Sequence, residues 1–139
     1  MGLFFKKKKK EPPKPQQKKR TDFNVVSTEP ETRRIRYDLT KYNEYWNERG
    51  EDGDFIYKYE SNVDSVELKS EGDKILVYAN SILIGHIADD KVEEARRIMA
   101  GDDVDIVCLV SGGEYKEYEG RKAIKGEEPY SATIMMRHW

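Results

Sequence analysis

The side chains best suited to chemistry in this 139-residue chain are His86, His138, the single cysteine Cys108 and several close-set carboxylates. A nucleophilic thiol needs an exposed position and a neighbouring base, whereas Cys108 lies inside Val-Cys-Leu-Val, where a small apolar side chain is expected to face inward. Two histidines and one cysteine, with no close acid–histidine spacing, do not assemble a zinc or non-haem iron site. The groups Glu51/Asp52/Asp54, Asp89/Asp90 and Asp102/Asp103/Asp105 lack the spacing and terminal bidentate glutamate of a calcium loop, and read as solvated surface. Gly112-Gly113 is a turn signal, not a phosphate loop, which needs a lysine and a following helix. His86, at the end of an apolar strand, is expected to be a hydrogen-bonded structural residue in the absence of a partner. No catalytic residue, metal or cofactor emerges, and the chain reads as a non-catalytic binding protein.

Binding chemistry is better represented. Nine tyrosines offer faces for stacking, and Lys6, Lys7, Lys8, Lys9 and Lys10 form an unbroken cationic run. The first twenty residues hold nine basic side chains and one acid, so the remaining chain holds sixteen basic and twenty-six acidic groups. Like charges segregated in this way repel one another, and Pro12, Pro13 and Pro15 forbid a continuous helix or strand. Residues 1–36 are therefore expected to be a disordered basic tail and linker, free to contact nucleic acid or other anionic surfaces by counterion release. Its opening Met-Gly-Leu-Phe-Phe precedes the lysines, the reverse of a secretory signal, and Gly2 lacks the Ser or Thr at position 6 of a myristoylation motif. The longest apolar stretches fall far short of the roughly 20 residues that span a bilayer. One cysteine excludes a disulfide scaffold and suits a reducing compartment, so a cytoplasmic location is expected.

One domain is therefore expected over 37–139. Leu39, Tyr42, Tyr45, Trp46 and Arg49 fall at spacings of three and four between Asp38 and Gly50, which predicts a short helix over 39–49 with its aromatics packed inward. From Phe55 the period shortens to near two over 55–59 and 63–68, while 74–79 and 82–87 are apolar almost throughout, and these runs together predict a barrel over 55–139. Strands are expected at 55–59, 63–68, 74–79 and 82–87, the last two joined at Asn80-Ser81, and again at 104–110 and 131–137. A second helix begins at Asp89-Asp90, with Asp90 and Glu93 spaced as a capping box and Val92, Ala95, Ile98 and Met99 as its apolar face. The class is α+β, mainly β: a small OB/SH3-like antiparallel barrel with two short helices.

The stretch Val66-Glu-Leu-Lys-Ser-Glu-Gly-Asp-Lys-Ile-Leu-Val77, the unit Ile84-Gly-His-Ile87, the helix at Asp89-Asp90 and the closing strand Ile134-Met-Met-Arg-His-Trp139 together resemble the HIRAN domain family over roughly 55–139. The likeness implies an OB-like barrel that binds DNA, especially single-stranded ends, without catalysis. By position it implies that Asp73 is the acidic loop residue and that Gly85 and His86 form the Gly-His unit. Ser70-Glu-Gly-Asp-Lys-Ile is shorter than the family's loop and lacks its aromatic and asparagines, so Tyr57 and Tyr59 on the early strand become the replacement stacking groups.

The expectation is a nucleic-acid-binding module for single-stranded DNA or DNA ends, carried by Tyr57, Tyr59, Asp73, His86 and the Lys6–Lys10 run. The alternative is a protein-interaction module that uses the acidic surface of the barrel to dock a basic partner.

Overall fold

The computed structural model describes residues 17–139, so the Lys6–Lys10 run lies outside the described residues. The fold is α+β and mainly β, as expected: one curled, half-barrel antiparallel sheet with two short helices. Eight strands take part: β1 (Lys19–Val26), β2 (Lys41–Tyr42), β3 (Phe55–Val63), β4 (Val66–Glu71), β5 (Lys74–Ala79), β6 (Ile82–Ile87), β7 (Asp105–Glu119) and β8 (Lys122–His138). Their order is β2-β3-β7-β8-β1-β6-β5-β4. The ladder does not close on itself, and β2 and β4 are its edges. Among the described residues no helix is long and apolar enough to cross a membrane.

The largest correction concerns the segment expected to be a connector. Residues 19–26 are a central strand that pairs with β8 from Lys19↔His138 to Asn24↔Thr133, then with β6 at Val25↔Ile87 and Val26↔His86. Phe23 and Val25 point into the core while Asp22 and Asn24 face water, the period-two pattern of a half-buried strand. One strand thus belongs to both halves of the sheet. The exchange depends on Gly85 in β6, whose φ is +148° and whose missing Cβ leaves room for the Val26 carbonyl and the Val25 side chain. The glycine of the Gly-His unit is accordingly a packing device.

A capping box forms, but not at Asp90. Thr28 accepts from the Glu31 amide and Glu31 accepts from the Thr28 amide, opening helix α1 (Glu29–Arg34), with Pro30 inside its first turn. Helix α2 (Val92–Met99) has no side-chain cap; a 3₁₀ turn at Asp89–Lys91 leads into it, and Val92, Ala95 and Ile98 bury its inner face. The helix expected over 39–49 is also absent. A π-helical turn (Ile35–Leu39) follows α1, β2 pairs with β3, and a 3₁₀ turn (Glu44–Asn47) comes next. Asn43 breaks the segment: its side chain accepts from the Tyr45 amide and donates to the Tyr57 carbonyl and to Glu60, competing with helical bonding. Of the predicted aromatic face only Trp46 is buried, whereas Tyr42 and Tyr45 are exposed.

The Asn80-Ser81 hairpin forms as expected, with φ of 50° and 67°. Gly112-Gly113 does not turn the chain. Both sit in β7 at a bulge between Ser111 and Gly113, and pairing with β8 continues to Glu119↔Lys122. The core gathers Phe23, Ile75, Val77, Ile84, Ile87, Ile134 and Met136 from both halves of the sheet and Ile35 from the π-helical turn, all at most 1% exposed, with the inner face of α2 packed against them.

Candidate functional site

The predicted binding residues do not converge. Asp73 is exposed in the β4–β5 turn, and His86 lies on β6 with Nε2 3.8 Å from Asp89 Oδ1, which also accepts from Lys74 at 3.2 Å. Tyr57 and Tyr59 lie on β3, which three strands separate from β6 in the sheet order. The two tyrosines are themselves divided by a register shift in the β3–β7 pairing. Tyr57 donates to Glu128 and packs beside Phe55 and Tyr115. Tyr59 turns toward Tyr42, with ring centroids 5.8 Å apart.

A second set of residues surrounds Tyr59. The helical turns that follow β1 bring Arg33, Arg36 and Tyr37 against the β7–β8 ribbon. Two adjoining grooves of about 530 and 290 Å³ open there, and both are lined by Arg36 and Tyr130. Thr32, Arg33, Gly113 and Glu127 to Tyr130 line the larger; Tyr37, Thr40 and Tyr59 complete the smaller. The Arg36 guanidinium lies 4.7 Å from the Tyr37 ring centre and 5.8 Å from that of Tyr130, within cation–π range of both. Capped α1 and the π-helical turn, anchored by buried Ile35 and Leu39, hold Arg36 there, and Thr40 bonds the Arg36 carbonyl at 2.7 Å. Burial raises the Tyr130 phenol above its usual range, with Arg36 opposing the shift.

The electrostatics are mixed. Arg33 is paired with Glu29 across one turn at 2.9 Å but remains exposed, and Arg36 has no ion pair among the described residues. Glu127 and Glu128 line the opposite wall, Glu128 being engaged by the Tyr57 hydroxyl. The arrangement offers an arginine fork and a tyrosine wall to a planar, anionic ligand. It contains no nucleophile–base pair. Among the described residues no cluster of His, Cys, Asp or Glu is placed to hold a metal ion. Cys108 is buried, and burial pushes its thiol up to about 12, which keeps it in the unreactive protonated form.

Sequence reasoning missed Arg33, Arg36, Tyr37 and Tyr130. The signal was present in Arg33-Arg-Ile-Arg-Tyr37, basic residues ending in an aromatic, but its arginines lay in the segment assigned to the linker and Tyr37 at its boundary. The aspartates read as solvated surface also have a partner: Lys18 Nζ lies 2.9 Å from both Asp103 and Asp105, and Trp139 Nε1 donates to Asp103 at 3.2 Å. The Lys18 hydrogen bond is the main cause that lowers the Asp103 carboxyl. This corner fixes the start of β1.

No family model matches the chain, and neither a curated protein nor a solved structure matches it.

Proposed function

We propose that the protein is a non-catalytic binding module for single-stranded nucleic acid, with the groove formed by Arg33, Arg36, Tyr37, Tyr59 and Tyr130 as its base- and phosphate-binding surface. The observation that carries the reading is the Arg36 guanidinium set against the rings of Tyr37 and Tyr130 at the mouth of a groove. Sequence-tolerant binding of single strands needs π-faces for bases and cations for the backbone. Tyr59, Tyr37 and Tyr130 supply the first, and Arg33 and Arg36 supply the second as planar forks suited to phosphate. The likeness to HIRAN domains supports the same ligand class, and the Lys6–Lys10 run adds non-specific attraction. Asp73 and His86 stand apart from this groove and drop out of the proposed surface.

The test is fluorescence anisotropy of the full chain with labelled single-stranded and duplex oligonucleotides across a salt series. Single strands should be preferred. Arg36→Glu should lower affinity by about tenfold or more, and Tyr130→Leu should cost about 1–3 kcal/mol of stacking. Lys6–Lys10→Gln should weaken both ligands alike and flatten the salt dependence. Binding that survives Arg36→Glu and vanishes with the lysines would overturn the groove assignment. A second reading, docking of a basic protein, is favoured by the acids around the β7–β8 tip: Glu117, Glu119, Asp52 and Asp54. Nuclease-insensitive capture of a basic partner by the full chain would favour it over nucleic acid.

A further inference from the structure

The β3–β7–β8 ribbon has two faces, and only one is covered. On the covered face Trp46 and Tyr118 are buried, and Lys116 lies over the Trp46 ring at 4.4 Å. On the other, pairing places Phe55, Glu117 and Ile124 in one row and Tyr57, Tyr115 and Gly126 in the next. Phe55 and Tyr115 stack with centroids 4.7 Å apart and planes at 21°. A side chain at position 126 would enter the Tyr115 ring, so that ring lies flat on β8. Phe55 is nevertheless 46% exposed and Ile124 39% exposed.

Glu117 sits within this row, between Phe55 and Ile124, and Glu119 lies one row nearer the tip opposite Lys122. The loop before β3 is tied to the tip, where Asp52 accepts from the Gly120 amide at 2.7 Å and the Asp54 carbonyl accepts from the Tyr118 amide at 2.9 Å. Arg121 and Lys122 offset part of the charge. The fitting occupant is therefore an extended segment in which aromatic residues adjoin a cationic run. The chain carries such a segment outside the described residues: Leu3-Phe-Phe5 followed by Lys6–Lys10.

Reach points to a second copy. Lys19 pairs with His138, and Ile124 lies fourteen residues back along the same strand, up to about 46 Å away at roughly 3.3 Å per residue. If residues 3–10 all lay on this face, the proline-bearing stretch 11–16 would bridge only about 20 Å at roughly 3.1 Å per residue. We propose that residues 3–10 of one copy dock on the Phe55–Tyr115–Ile124 face of a second copy, and that reciprocal exchange closes a two-fold dimer.

Sedimentation equilibrium of the nuclease-treated full chain at low salt should give a dimer that dissociates as salt rises. Phe4→Ser/Phe5→Ser and, separately, Glu117→Lys/Glu119→Lys should each be monomeric while keeping the native circular dichroism spectrum. A labelled peptide of residues 1–12 should bind the full-length Phe4→Ser/Phe5→Ser protein, and Phe55→Ser in that protein should weaken the peptide by about tenfold or more. A monomeric wild-type chain, or peptide binding indifferent to Phe55→Ser, would overturn the proposal.

Discussion

Tyr130 lies directly over Gly113. A Cβ built at position 113 would sit 2.5 Å from the Tyr130 hydroxyl and 2.7 Å from the carbon that bears it, and Gly113 adopts φ of +71°. The groove wall therefore exists because β7 has no side chain beneath the ring, and the bulge at Ser111/Gly113 places that gap where β8 presents Tyr130. The glycine pair read from sequence as a turn instead seats the Tyr130 ring that lines the proposed groove.

Gly113→Ala should accordingly do two things. Left-handed backbone that alanine disfavours should cost about 1–3 kcal/mol, measured by urea denaturation. Displacement of Tyr130 should weaken single-strand binding beyond what a surface alanine does. Gly120→Ala is the control, because Gly120 shares a positive φ of 61° but its Cβ would meet nothing within 4 Å. Equal binding losses in the two variants would show that the Tyr130–Gly113 contact has no part in recognition.

Tyr57 predicts a pH effect. Burial first, and then its hydrogen bond to Glu128, push the phenol up to about 12 from an ordinary 10.0. A native state that keeps its proton longer than the unfolded chain binds more protons between those values, so stability falls as pH rises through that window and is complete below it. Ultraviolet titration of the folded protein should show a late phenolate step that Tyr57→Phe removes and Glu128→Gln moves to lower pH. Glu128→Gln leaving the late step in place would mean that burial alone sets the shift.

The sheet half of the fold was legible because its strands are short apolar runs bounded by turn residues. Nearly continuous apolar runs over 74–79 and 82–87 mark β5 and β6, and Asn80-Ser81 marks the turn between them, since few other pairs accept positive φ at both residues. The helix after Asp89-Asp90 was legible from its apolar face, whereas the one expected over 39–49 failed where local bonding defeated period: Tyr42, Tyr45 and Trp46 have helical spacing, yet Asn43 holds its segment to β3 instead. The candidate groove was hidden for a different reason. Arg36 and Tyr130 are ninety-four positions apart in sequence and meet only through the β1–α1 connection, which composition alone assigns to a linker.

That linker assignment yields the sharpest test of the fold. Thr-Asp-Phe-Asn-Val-Val alternates apolar with polar, and Phe23 ends 1% exposed in the core beside residues from both halves of the sheet. Truncating a buried phenylalanine to alanine removes its transfer energy and leaves a cavity, costing about 3–5 kcal/mol. In a protein of ordinary marginal stability, that loss consumes much of what holds the domain together. Phe23→Ala should therefore unfold at much lower urea, whereas Asn24→Ala, one residue along on the exposed side of β1, should change stability by less than about 0.5 kcal/mol. If the two variants melt together near the wild type, residues 19–26 are not part of the core, and the groove that depends on their path loses its Arg33 and Arg36 wall.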